Sequence, residues 1–357
     1  ILKKIYPEII VEPHVASEGS AFYVNKNMEN TLIIVIAQSG TTIDTNVFAK
    51  MGKDRGASTL AIVNKREADI THIVDGTLYI GNGRDIEIAV PSTKTYTAQV
   101  ILGYILTLYL AIKINNNGKY NNLIYENINS LRQSPKLVSE TFSLINDQSI
   151  EKLFINNPIL NNEWYISFDN SPNNVCAMEI RIKYSECCYQ SLPYININEL
   201  EKTKIKNSFV TFITNNESTE FENIVINLLK QKNRIIIISS GLMIRKNYQK
   251  YIDNGYLSYI NIPPAFNFYS FIPTIIAGQL LSYYIAISLD QRKKYFNNIL
   301  ESINSNKNFK ENWRIFTDKL NQGLFNQGFS IDQFMNLKNL QENYELNTDA
   351  KNINDFK

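Results

Sequence analysis

Apolar residues in the first third of the chain come in short, nearly continuous runs, separated by polar stretches of helical period. "EIIVE" at 8–12, "TLIIVIA" at 31–37, "STLAIVNK" at 58–65 and "DGTLYIG" at 75–81 read as strands. "TIDTNVFAKMGKDRG" reads as a helix that stops at Gly56. "STKTYTAQVILGYILTLYLAIKI", from Ser92, reads as a long apolar helix. Strands of this kind alternating with helices predict a parallel sheet covered on both faces, an α/β fold. Residues 114–161 turn polar with a mostly helical pattern and read as a connector. The rhythm then restarts, with strands at 163–168, 208–215, 234–241 and 256–263 and helices at 174–189, 217–232 and 271–289. The expected organisation is a first domain at 1–113, a helical connector at 114–161, a second domain at 162–299 and a tail at 300–357. In the tail Trp313, Phe316 and Leu320 keep helical spacing before the chain turns polar and frays.

Composition narrows the function classes. The chain has 357 residues, 44% hydrophobic and 20% charged, long enough for two cores. Its net charge of +2 supplies no basic field for nucleic acid. Cys176, Cys187 and Cys188 form no CxxC pair, which suits a reducing, cytoplasmic compartment without structural zinc. His14 and His72 lie far apart, so a histidine-based metal site is not expected. No charged-then-apolar leader opens the chain, so no signal peptide is read. Phe268 to Leu289 is uncharged and of membrane-span length. It holds Pro273, Gly278, Gln279 and three serines, and no second comparable segment is read, Val100 to Ile112 being only 13 residues long. A buried core helix is therefore expected, with no membrane as partner.

Two stretches carry candidate chemistry. In "IAQSGTTIDT" a buried strand hands over to a helix through Gln38, Ser39, Gly40, Thr41 and Thr42. Ligands of parallel α/β sheets sit beyond the strands' carboxyl ends. A helix N-terminus there offers unpaired N–H groups and partial positive charge. Hydroxyls add donors, and Gly40 permits close approach. The set suits a phosphate ester without a P-loop or a dinucleotide fingerprint. An N-cap with a glycine turn accounts for the same residues. In "EIAVPSTKTYTAQ" at 87–99, Ser92 is placed to cap the long helix, and capping explains it as well as ligand binding does.

These two stretches, in this order, resemble the sugar isomerase (SIS) domain, in the tandem arrangement of the isomerase half of glucosamine-6-phosphate synthase. The resemblance runs from residue 1 to about 290 and implies two flavodoxin-like SIS domains with parallel sheets flanked by helices. It also implies homodimers and a phosphorylated sugar or amino sugar as ligand, with no cofactor and no metal. Gln38, Ser39 and Thr42 match the family's phosphate loop, and Ala37 stands where a serine is frequent. Ser92 matches a position beside the sugar. The family's catalytic helix reads E-x-x-x-K-x-x-E, here "EIRIKYSE": Glu179, Lys183 and Glu186. Those spacings put all three on one helix face. Glu186 matches the base that moves a proton between C1 and C2, and Glu179 and Lys183 match its supporting residues. A solvated salt bridge with a spare glutamate would show the same spacing.

Departures are as informative. The family's ring-opening histidine is replaced by Lys202, and a lysine near its ordinary pKa of about 10.4 shuttles protons poorly at neutral pH. The loop after "WYISF" reads "DNSPNN" without the family's glycines. Nothing in the sequence supplies the strand that the family places before "PEIIVE", so the first domain is expected to lack its N-terminal strand. Two readings follow. One is an aldose–ketose isomerase, or a related deaminase or deglycase, acting on a 6-phosphorylated sugar or amino sugar. The other is a degenerate phosphosugar sensor without turnover.

Overall fold

The computed structural model describes residues 1–81, 87, 90–115, 117–147, 163–215, 218–241, 246–265 and 267–304, with Glu311, Arg314, Ile315 and Asp318. Trp313, Phe316 and Leu320 lie outside them. The chain forms two compact units, Ile1–Pro135 and Lys136–Lys357.

The first unit is built on a parallel sheet of β1 (Leu32–Ala37), β2 (Ser58–Val63) and β3 (Gly76–Tyr79), in that order. Ile33, Val35 and Ala37 are buried, and the Ile43–Asp54 helix packs over them with Gly52 against Ile33. The intervening Leu32, Ile34 and Ile36 are 45%, 39% and 57% exposed, so β1 alternates where both faces were expected to be covered. β1 is also an edge of the sheet among the described residues. The strand expected at 8–12 does not form. Pro7 and Pro13 bracket it without ladder N–H groups, and Ile10 and Val11 stay exposed. At the amino edge of the sheet, Asp75 fastens β2. Its carboxylate accepts the Thr59 N–H and hydroxyl, each at 2.8 Å, and pairs with Lys53 at 2.8 Å. The long helix Thr93–Ile114 and helix Asn121–Arg132 complete this unit, and helix Ser134–Asp147, which begins at its last residues, runs on into the second.

The second unit carries a five-stranded, all-parallel sheet. Its strands are β4 (Trp164–Phe168), β5 (Tyr194–Asn196), β6 (Phe209–Ile213), β7 (Arg234–Ser239) and β8 (Leu257–Asn261), ordered β5-β4-β6-β7-β8. β6 is buried at every position and β7 at all but its first, as strands covered on both faces must be. The three-residue edge strand β5 follows Pro193 and is too short for a periodic signal. Helix Thr219–Lys230 starts under a Ser218 cap, whose Oγ accepts the Phe221 N–H at 3.1 Å. Helix Asn173–Cys188 packs against helix Phe271–Asn304.

Among the described residues two helices are long and apolar enough to cross a membrane by length and composition, Thr93–Ile114 and the stretch Phe271–Gln291. The first corrects the expectation of no second comparable segment, because the helix extends past Val100 and Ile112 at both ends. In the second, 61% of the apolar window is buried, the place of a core helix. In the first only 11% is buried.

Gly278 sets how closely the two helices of the second unit approach. A Cβ there would lie 2.2 Å from both Cδ1 and Cγ1 of Ile180, itself fully buried and without room to turn aside. Gly278→Ala should therefore lower unfolding stability by about 1–3 kcal/mol, read from the urea midpoint. An unchanged midpoint would refute this contact.

Candidate functional site

In the first unit the sheet register carries Gln38 to Thr42 past the end of β1 and into helix Ile43–Asp54. Gly40 turns the chain at φ +68°, a left-handed conformation that suits glycine, and a Cβ would stand 2.6 Å from that of Ala68. Its carbonyl accepts the Ile70 N–H at 3.0 Å, and the Gln38 carbonyl accepts that of Asn64 at 3.3 Å, so neighbouring loops hold this one. Ser39, Thr41 and Thr42 are exposed. Ser39 Oγ and Thr41 Oγ1 share a hydrogen bond of 2.9 Å. Thr42 holds the N-cap position but its side chain makes no capping bond. The helix thus starts with its first N–H groups uncapped by its own cap residue, beside three hydroxyls.

Ser92 does not cap the Thr93–Ile114 helix through its side chain, contrary to expectation. Its hydroxyl donates to Gln38 Oε1 at 2.7 Å. The capping is done by Glu87, whose carboxylate accepts the Lys94 and Thr95 N–H groups at 3.0 and 2.8 Å and the Thr93 hydroxyl at 3.2 Å. The Glu87 carbonyl also accepts Gln38 Nε2 at 3.4 Å. Gln38 and Ser92, far apart in sequence, are thus joined directly. Burial would raise the Glu87 carboxyl, but the hydrogen bonds from Thr95, Lys94 and Thr93 outweigh it and hold the pKa below its ordinary value.

In the second unit helix Asn173–Cys188 brings Glu179, Lys183 and Glu186 onto one face. Lys183 Nζ lies 2.8 Å from Glu186 Oε2 and 3.4 Å from Glu179 Oε1. Glu179 and Lys183 each keep only 5% side-chain exposure, whereas Glu186 keeps 27%. This is a buried ammonium between two carboxylates, the outer one open to solvent, rather than a solvated surface pair. Gln279, from helix Phe271–Asn304, reaches Glu179 Oε1 at 3.5 Å. Burial pushes the Glu179 carboxyl above its ordinary value, against the Lys183 ammonium and the Gln279 hydrogen bond. Lys202 lies exposed in the short turn Glu201–Thr203. Burial pushes the Cys176 thiol up to about 12 and raises Cys187 and Cys188 as well, so none offers a thiolate near neutrality.

Sequence reasoning did not assign Glu87, Gln279 or Asp169, the first residue of the loop after β4. Glu87 caps from outside the helix, at no regular spacing. Gln279 was visible only as a polar residue in an apolar run.

Residues 7–109 match the family model of the SIS domain. The glutamine–fructose-6-phosphate aminotransferase (isomerizing) of Fusobacterium nucleatum is 40% identical over 115 residues, 31% of this chain and 18% of that protein. The enzyme of the same name from Caldanaerobacter subterraneus is 28% identical over 288 residues, 79% of this chain and 45% of its own length. The chain thus spans less than half the length of these curated relatives. The fold is shared with the C-terminal domain of glucosamine-fructose-6-phosphate aminotransferase from Francisella tularensis. There the TM-score is 0.65 and the identity 21%, with 80% of this chain and 79% of that one covered. It is shared also with tagatose-6-phosphate ketose/aldose isomerase from Escherichia coli, at a TM-score of 0.52 and 11% identity, over 75% of this chain and 72% of that one.

The raised Glu179 pKa has a definite sign in stability. Between the ordinary value of 4.5 and the raised one, the folded chain holds a proton that the unfolded chain has released. Stability from this group therefore declines as pH rises through that window. Relative to wild type, Glu179→Gln should remove this decline, so the difference between the two urea midpoints should change with pH above about 4.5. A constant difference would mean that Glu179 titrates as an ordinary carboxyl.

Proposed function

We propose that this SIS-domain chain binds a phosphorylated sugar or amino sugar, with the phosphate at Gln38, Ser39 and Thr42 and the sugar beside Ser92. The observation that carries the reading is the start of helix Ile43–Asp54. Its N-cap side chain makes no capping bond, and Ser39, Thr41 and Thr42 crowd it with exposed hydroxyls. Thr93–Ile114 is capped by Glu87 and Thr219–Lys230 by Ser218, whereas Asn121–Arg132 and Asn173–Cys188 also lack a capping side chain at the N-cap position. The hydroxyls at Ser39, Thr41 and Thr42 are therefore what mark this start. Backbone N–H groups and hydroxyls together hold a dianion without a lysine. The bond from Ser92 to Gln38 fixes both residues for one ligand. The names of the relatives point to fructose 6-phosphate and its amino-sugar counterpart.

The reaction read for this chain is aldose–ketose isomerisation or the related deamination. Glu186, the more accessible of the two carboxylates, moves the proton between the two sugar carbons. Lys183 anchors it, and the buried Glu179 holds Lys183 in turn. Transfer through a carboxylate requires neither metal nor organic cofactor. A cytoplasmic homodimer belongs to the same reading. The competing reading is a phosphosugar sensor without turnover, favoured by the exposed Lys202 where the resemblance places a histidine.

Ser39→Ala combined with Thr42→Ala should weaken phosphosugar binding by about 1–3 kcal/mol in calorimetry, through hydrogen bonds lost to a charged group. Equal affinity would remove the phosphate loop from this place. Incubation with fructose 6-phosphate or glucosamine 6-phosphate, followed by NMR of the products, separates enzyme from sensor. If products form, Glu186→Gln should abolish them and leave ligand binding nearly intact, since an amide keeps the shape but takes no proton. Normal turnover by that variant would exclude Glu186 as the base.

A further inference from the structure

In the second unit the segment after β4, from Asp169 to Pro172, takes the place that Gln38–Thr42 takes in the first. Both leave the carboxyl end of a parallel strand and enter a helix. In the first unit this place offers hydroxyls. In the second it is filled from within. Asp169 Oδ1 accepts the Asn170 N–H at 2.6 Å and the Asn173 side-chain amide at 2.7 Å. Asp169 Oδ2 accepts the Thr214 hydroxyl at 2.7 Å and the Asn215 N–H at 3.2 Å. Four donors, from the loop, the helix start and the end of β6, converge on one carboxylate. That is the number and spacing with which a protein holds an oxyanion. Asn173 is itself buried, and its Oδ1 has no hydrogen-bond partner while its amide nitrogen faces Asp169. The side chain is thus oriented toward negative charge at the expense of its own acceptor. The Asp169 carbonyl accepts Asn196 Nδ2 at 3.0 Å, which ties the loop to β5 as well.

We infer that Asp169 serves as a built-in anion. It satisfies the oxyanion donors of the second unit and makes that unit refuse phosphate, so the chain takes a phosphate only in its first unit. An incoming phosphate would have to displace the carboxylate and meet its negative charge on the way. The first-unit half of this statement rests on the reading given above, and the second-unit half stands without it.

The test uses the whole chain and labelled inorganic phosphate in equilibrium dialysis. The wild type should bind no more than a single phosphate per chain, and Asp169→Gly should bind one more than the wild type. Sodium formate should restore the thermal stability that Asp169→Gly loses, whereas sodium chloride at equal ionic strength should not. Two phosphates on the wild type would overturn the inference. So would a folded Asp169→Gly that gains neither phosphate nor formate rescue. If Asp169→Gly does not fold, Asp169→Asn decides, because it keeps the shape and loses the charge. It should melt below the wild type, and equal melting would overturn the inference. A wild type that binds no phosphate would count against the first-unit reading alone, since the Asp169 arms are read independently.

Discussion

Both units obey one constraint: all strands of a sheet run the same way. A parallel sheet delivers every strand's carboxyl end, and the start of the helix that follows, to a single edge. Each helix brings N–H groups that no residue of its own can satisfy. What the molecule does along that edge is decided by what meets those donors. Glu87 meets them for Thr93–Ile114, Ser218 for Thr219–Lys230, and Asp169 gathers the donors beyond β4. Ser39 to Thr42 add hydroxyls and no carboxylate. The contrast between the carboxylate at two of these places and the exposed hydroxyls at Ser39 to Thr42, rather than any motif alone, is what the proposed phosphate site rests on.

The cluster at Lys183 answers a different demand. An ammonium this far inside the protein is costly unless it is paired. Two carboxylates at i−4 and i+3 pair it, and both come from its own helix, so no loop closure is needed to assemble them. Glu179 is the more buried of the two and bears the burial as a raised pKa. Glu186 keeps about a quarter of its side chain in water. The arrangement separates a structural acid from an accessible one within two helical turns.

Much of this was legible in the sequence because period and spacing are local. The runs at 58–65, 208–215 and 234–241 are strands largely buried in a sheet, and 31–37 is a strand buried on one face only. Glu179, Lys183 and Glu186 share a face because helical geometry requires it. What was not legible depends on pairing across the fold. Ser92 has the sequence position of a cap, yet its hydroxyl goes to Gln38 because Glu87 already holds the helix N–H groups. "EIIVE" has the composition of a strand but no ladder. Asp169 looks like an ordinary turn residue until Thr214 and Asn215 arrive from another strand.

The exposed face of β1 bears on how the protein behaves in a tube. Leu32, Ile34 and Ile36 stand outward on a strand that pairs on one side only among the described residues. Such a strand is a template for accretion, and a net charge of +2 on 357 residues provides little colloidal repulsion against it. Purified samples should be kept dilute. A charge placed at Ile34, on the outward side of the strand, interrupts the template without entering the core that Ile33 and Val35 fill.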